Sequence, residues 1–271
     1  MPDASPSPDH PDRAGQVQAW GPSGSAEVIP DLILICEHAS NHVAPPWIGA
    51  DTALLASHAA SDLGALGLAQ ALGAALAQAG HRIELIHAPL SRLIYDLNRS
   101  PDRIDACPAK TEIHDVPMNQ GLQAADRLAR MEALYLPFHN LVRARVARAL
   151  ALGSRPAIVT VHSYTPIWHG RARDVEFGVI HDDLPALAQA ILAHAEGLGL
   201  KVALNQPYSA ADHVTHTLRL HALPYGLDNA MLEIRNDLLA SPAQQTEMAT
   251  RLAPVISRAV KHLSEAPCPA Q

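Results

Sequence analysis

Asp31-Leu32-Ile33-Leu34-Ile35-Cys36 is a short continuous apolar run, followed at once by Glu37-His38-Ala39-Ser40-Asn41-His42. Apolar residues without polar alternation are the pattern of a strand covered on both faces. Charged and imidazole side chains at its carboxyl end stand where the loops of an open α/β sheet converge on a ligand.

Outward from this run, strand-like and helical segments alternate. Arg82 to His87, Leu93 to Leu97, Ala157 to Val161, Val175 to Ile180, Val202 to Leu204 and Ala230 to Ile234 read as strands. Leu63 to Ala79, Asp126 to Leu150, Leu187 to Leu198 and Ala211 to His221 read as helices. Asp62 or Ser61 is placed to cap the first of these. Pro137 should kink or divide the second. Ser241-Pro242 opens a last helix, with a cap residue followed by proline at the first helical position. The alternation predicts an α/β fold of three layers, a mostly parallel or mixed sheet flanked by helices. Residues 1 to 27 are rich in Pro, Ser, Asp and Gly and read as a flexible tail. Residues 28–265 read as one α/β domain and 266–271 as a short C-terminal tail.

Composition narrows the function. The chain has 271 residues, 48% of them hydrophobic, enough to bury one sizeable core. Its formal net charge is -7, from 20 basic and 27 acidic residues, and no basic stripe stands out. A nucleic-acid partner is disfavoured on that balance. Apolar stretches are broken by charge, His or Pro before a membrane span is reached. The polar N-terminus does not read as a secretory signal, so a cytoplasmic placement is expected. Cys36, Cys107 and Cys268 are an odd number without close spacing, which suggests neither a disulfide framework nor a thiolate zinc site.

The chemistry gathers after the strands. Glu37-His38 follows the first, Asp96-Leu97-Asn98-Arg99 closes the Leu93 run, and His162-Ser163-Tyr164 follows Val161. Glu233 and Arg235 lie within or beside the last. Charge beside a buried strand costs free energy unless it is paired or bound to metal. Two histidines and a carboxylate with an open fourth position make a catalytic zinc site, in which the ion acidifies water and polarises a carbonyl. A further carboxylate is needed to carry the proton. An arginine fork suits a substrate carboxylate. Plainer roles stand beside these: an N-cap for Asp62, an ion pair with Arg235 for Glu233, and an ion pair with Asp96 or Asp102 for Arg99.

Five segments carry a resemblance: Glu37 to Asn41, Ser61-Asp62-Leu63-Gly64-Ala65, Ser91 to Arg99, His162-Ser163-Tyr164 and Leu232-Glu233-Ile234-Arg235. Together they resemble the N-formylglutamate amidohydrolase family, related in fold to the zinc carboxypeptidases. The resemblance runs from about Leu32 to about Leu239. It implies one zinc ion held by His38, Asp62 and His162, with Glu233 as general base and then general acid. It implies that Asn98 and Arg99 hold a substrate carboxylate, with Arg92, Arg173, Tyr164 and His221 as further substrate contacts. The carboxypeptidase-like pattern has Glu three residues after the first His, where this chain has Asn41; Asp62, matching the later acidic residue of the formylglutamate hydrolases, is the expected third ligand, with Glu37 and Asn41 as alternatives. The same ligands accept manganese or iron. The implied reaction removes a formyl group from N-formyl-L-glutamate, a step of histidine degradation. Another N-acyl amino acid deacylase, a small carboxypeptidase, and a non-catalytic small-molecule binding protein of the same fold are the rival expectations.

Overall fold

The computed structural model describes residues 15–21 and 29–265. Its strands are β1 (Gln16–Trp20), β2 (Leu32–Cys36), β3 (Ile83–His87), β4 (Ala157–Tyr164), β5 (Phe177–Ile180), β6 (Val202–Leu204) and β7 (Asn229–Arg235). They hydrogen-bond in the order β1-β3-β2-β4-β7-β5-β6. Parallel pairs join β3 to β2, β2 to β4, β4 to β7 and β5 to β6. β1 runs antiparallel to β3, and β5 antiparallel to β7. The mixed, mostly parallel sheet of the sequence reading is present.

Helices cover both faces because the central strands are apolar on both. Leu32, Leu34 and Cys36 join one buried cluster with α1 (Ala65–Gln78), α4 (Ala186–His194) and α6 (Pro242–Glu265). Ile33 and Ile35 join another with α3 (Leu136–Ala151) and α5 (His216–His221). Each fully buried Leu or Ile contributes about 1.5–3 kcal/mol. The Ser241 hydroxyl accepts from Gln244 N at 3.3 Å, so the expected cap opens α6.

Pro137 does divide its helix. α2 (Ala124–Arg130) passes through a π turn, Met131–Tyr135, into α3. A proline ring clashes with the carbonyl four residues back and offers no N–H, and the wider π turn accommodates both defects.

Four expectations need correction. Gln16–Trp20, placed in a flexible tail, is an edge strand; Trp20 packs so close to Gly73 of α1 that a Cβ there would meet its ring at 2.8 Å. The remainder of that stretch, residues 1–14 and 22–28, and the C-terminal 266–271 lie outside the described residues. Leu93 to Leu97 is not a strand but a buried loop, turned by Ile94 N–H to Ser91 O at 3.1 Å and Arg99 N–H to Asp96 O at 3.1 Å. Ala211 to His221 is not one helix. His213 adopts left-handed φ 59°, and α5 starts only at His216, so His213 and His216 do not share a helical face. The cap of α1 is Gly64 rather than Asp62 or Ser61. No helix of the described residues is long and apolar enough to cross a membrane. Cys36 and Cys107 are buried and unbridged.

Below α5 two buried imidazoles set an acid limit on stability. His139 Nε2 donates to the Leu97 carbonyl at 2.9 Å, and its Nδ1 lies 2.9 Å from His221 Nε2. Burial favours the neutral form of both rings, and in neutral His139 the Nδ1 accepts from His221 Nε2–H. Burial takes His139 down to about 3 and His221 down to about 4. On unfolding each returns to about 6.5. The unfolded chain then binds more protons between about pH 6.5 and 4, so stability falls as pH drops through that window and is flat in this respect above it. Each ring contributes a slope of up to about 1.4 kcal/mol per pH unit. Urea unfolding of His221→Gln, which keeps a donor for His139, is expected to show the slope reduced by that amount. An unchanged slope would contradict the neutral pair.

Candidate active site

Adjacent strand ends deliver the site. β2 stops at Cys36, so Glu37 and His38 turn off its carboxyl end. His162 lies in β4, and Glu233 of β7 is its register partner in the parallel pair. Asp62 arrives from the loop before α1, its N–H bonded to the His38 carbonyl at 3.0 Å. Gly64 caps α1 at φ 81°, where an added Cβ would lie 2.6 Å from Leu239 backbone and side chain alike. With glycine in the cap, the Asp62 carboxylate is left to face the histidines.

Both imidazoles turn Nδ1 toward one oxygen. Asp62 Oδ2 lies 2.8 Å from His162 Nδ1 and 3.3 Å from His38 Nδ1. One donor atom from each of the three buried residues falls within 4.8 Å of the others. The opposite nitrogens face carboxylates as well. His38 Nε2 is 2.7 Å from Asp96 Oδ1, and His162 Nε2 is 3.1 Å from Glu37 Oε2. The second contact is close enough for charge attraction but misaligned for a hydrogen bond. A carboxylate behind each Nε2–H fixes the tautomer that leaves the Nδ1 lone pair facing inward. Arg92 bridges the assembly, with NH1 3.2 Å from Asp62 Oδ1 and NH2 2.5 Å from Asp96 Oδ2.

The electrostatics follow from burying four carboxylates among two imidazoles and one guanidinium. Burial, the largest single influence, pushes Glu37 up, but His162, His38 and Thr217 together outweigh it and bring the carboxyl down to about 2. Asp62 and Asp96 are likewise lowered against their burial, by His38 and by Arg92 respectively. Burial opposes protonation of His162, yet Glu37 and Asp62 raise it well above the usual imidazole range. Glu233 is the exception: burial pushes it up to about 7, and its Oε2 has no hydrogen-bond partner.

This donor set fits a divalent cation. Donors around a tetrahedral zinc stand roughly 3.3–3.5 Å apart; the 3.3 Å from His38 Nδ1 to Asp62 Oδ2 matches, and the 2.8 Å from His162 Nδ1, a hydrogen-bond length, would open slightly around an ion. The surplus of buried carboxylate charge is what such an ion would balance. Among the ligand alternatives, Asn41 is elsewhere, its amide donating to Leu55 O at 2.9 Å. Glu37 stands behind His162 rather than beside Asp62.

The triad and Glu233 line a cavity of about 330 Å³. Asn98 and Arg99 line it too, but the Asn98 amide donates to Val214 O at 2.5 Å and accepts from Thr217 N at 3.1 Å. Arg99 gives Nε to Asp105 at 3.2 Å, rather than to Asp96 or Asp102, and NH1 to Asn98 O at 2.9 Å. Glu233 is not paired with Arg235, which bonds Asp237 and Glu176. Tyr164 lines the cavity with its hydroxyl bonded to Val175 O. Arg173 does not line it; it lies against the rings of Trp168, Tyr208 and Tyr164, which do. His221 is not at the cavity but stacked on His139.

Sequence reasoning did not assign roles to Asp96 and Glu37 behind the histidines, nor notice Tyr208. The Arg92–Asp96 spacing of four was the available signal for the first. Tyr208 accepts from Arg173 NH1 at 2.9 Å, leaving its own O–H as a donor in the cavity wall.

Comparison with known proteins bears on the family and the fold. A crystal structure of a gene product from Agrobacterium tumefaciens superposes with TM-score 0.84 at 43% identity, covering 92% of this chain and 96% of that one. The crystal structure of N-formylglutamate amidohydrolase from Ralstonia eutropha JMP134 shares the fold, with TM-score 0.61 and 17% identity over 92% of this chain and 98% of that one. No curated protein matches the chain. A family model described as N-formylglutamate amidohydrolase matches residues 30–240, which include every residue of the buried cluster. The chain therefore belongs to the N-formylglutamate amidohydrolase family, a family of amide hydrolases.

Proposed function

We propose that this chain is a zinc-dependent deacylase, acting in the cytoplasm on a small N-acyl amino acid, with N-formyl-L-glutamate as substrate and formate and L-glutamate as products. One observation carries the reading: a buried carboxylate with a free oxygen, Glu233, stands in register beside a triad, His38, Asp62 and His162, whose donors converge. Family membership supports the amide chemistry.

Each residue then has a task. His38, Asp62 and His162 hold the ion, with Asp96 and Glu37 orienting the two imidazoles. A divalent cation there supplies Lewis acidity to the amide carbonyl and lowers the pKa of water. Glu233 takes the proton of the attacking water and returns it to the leaving amine nitrogen, so the C–N bond breaks with a neutral amine departing. Burial suits Glu233 to both halves, because a base that must become an acid works best with a pKa near the working pH. Arg99 keeps NH2 outside the contacts described and offers it to a substrate carboxylate.

Metal content of the purified protein, measured with formate release before and after chelation, tests this. About one equivalent of metal and chelator-sensitive release are expected. Metal without release from N-formyl-L-glutamate would move the reading to other N-acyl amino acids. No metal, and no activity after zinc addition, would overturn it.

A further inference from the structure

The substrate proposed above is a dianion, and its recognition needs two cations. Among the described residues, the Lys and Arg residues in the cavity wall are Arg92, Arg99 and Lys110, the last of them exposed, and the same wall carries Asp62, Asp96, Asp105, Glu112 and Glu233. Arg92 has both ends of its fork on Asp62 and Asp96. Arg99 has Nε on Asp105 and NH1 on backbone carbonyls, with NH2 left over. Asn98 is taken up by Val214 and Thr217. Lys110 alone of the three cations makes no side-chain hydrogen bond or ion pair among the described residues. Even Asp115, its cross-strand partner in the ladder, is not in ion-pair contact with it.

The backbone that carries Lys110 is nevertheless firmly placed. It begins a short hairpin, Lys110–Thr111 paired with His114–Asp115. Below it, Val116 N–H donates to Ala109 O at 2.9 Å, and Asn119 Nδ2 to Pro108 O at 2.9 Å. At the tip, Glu112 accepts from His169 N–H at 2.7 Å and lies 3.1 Å from His58 Nε2. These contacts hold the hairpin against the cavity from both ends while leaving the ammonium uncommitted.

We propose that Lys110 receives the second carboxylate of a dicarboxylate substrate, Arg99 receiving the first, and that this residue sets the preference for acidic over neutral N-acyl amino acids. The inference rests on the deacylase reading for the identity of the substrate, but the site itself is defined by dicarboxylate binding. A compact ammonium at the end of a flexible stem suits a carboxylate whose distance from the reacting amide is set by two methylenes.

The test is ligand-observed NMR titration of the purified protein with glutarate, which is glutamate without its amino group, and with butyrate, which is glutarate with one carboxylate replaced by hydrogen. Wild type is expected to prefer glutarate. Lys110→Met should weaken glutarate by about 10- to 100-fold, the loss of one charge-assisted contact, and leave butyrate unchanged; Lys110→Arg should restore most of the affinity. Equal weakening of both probes, unchanged glutarate binding in Lys110→Met, or no preference in wild type would each overturn the proposal. Formate release is read in parallel, where Lys110→Met should raise KM for N-formyl-L-glutamate but not for N-formyl-L-glutamine, with kcat held. Lys110-dependent glutarate binding without formate release would leave the recognition site standing and remove the deacylation reading instead.

Discussion

Glu233→Gln is expected to cut formate release by about 10²–10⁴-fold, the usual range for removing a positioned acid–base group, with fold and metal content unchanged. Gln is isosteric with Glu and fills the same space between the triad and β5, where Gly178 leaves room: a Cβ at Gly178 would meet Glu233 Cβ at 3.3 Å and Gln206 O at 2.0 Å. What the amide cannot do is take a proton from water or deliver one to the amine. The loss should therefore fall on kcat and kcat/KM together. Burial raises Glu233 to about 7. A group that must be ionised to act gives activity that rises with pH through its pKa. The acid limb of kcat/KM should accordingly lie at or below pH 7, since a cation in the triad favours the carboxylate form. That limb should be missing from whatever activity the Gln variant retains. Activity within tenfold of wild type, with metal bound, would remove Glu233 from the chemistry.

The framework of this fold is legible where the apolar runs are long and end in chemistry. Leu32 to Cys36, Ala157 to Val161 and Ala230 to Ile234 read as buried strands, and they are neighbours in the sheet. That adjacency is what brings Glu37, His38, His162 and Glu233 together. Leu93 to Leu97 misleads for a physical reason. An apolar run buried on all sides carries no period, so strand and packed loop look alike. Gln16–Trp20 misleads the other way: an edge strand with exposed residues needs little hydrophobicity, and its surroundings are rich in tail-forming residues. At the site, residue types are legible and pairings are not. Asp96 reaches His38 across 58 positions, a contact no local pattern encodes. Asn98 has the composition of a ligand contact, but its amide braces the turn leading into α5 at Val214 and Thr217. Lys110 lies in a hairpin of two-residue strands, too short to register as an element at all.

Replacing the carboxylates around the triad one at a time should separate holding the ion from orienting what holds it. Asp62→Ala removes the one oxygen shared by both Nδ1 atoms, and bound metal should fall below detection in the protein as purified. Glu37→Gln and Asp96→Asn remove partners of the two Nε2 atoms; metal affinity should drop by about 10- to 100-fold, as for other second-layer carboxylates, and remain measurable against a chelator. Asn41→Ala should change nothing, because its amide is on Leu55 O. The order matters more than the sizes. If Glu37→Gln emptied the site while Asp62→Ala kept its metal, His162 would have to present Nε2 rather than Nδ1, and the tautomers argued above would be reversed. Thermal unfolding serves as the control for charge balance. In Asp62→Ala Arg92 keeps the Asp96 carboxylate, and in Asp96→Asn it keeps the Asp62 carboxylate and an amide oxygen, so the loss of stability through Arg92 is measured for each variant. A difference in metal affinity between them then reflects the role of each carboxylate at the ion and not the health of the fold.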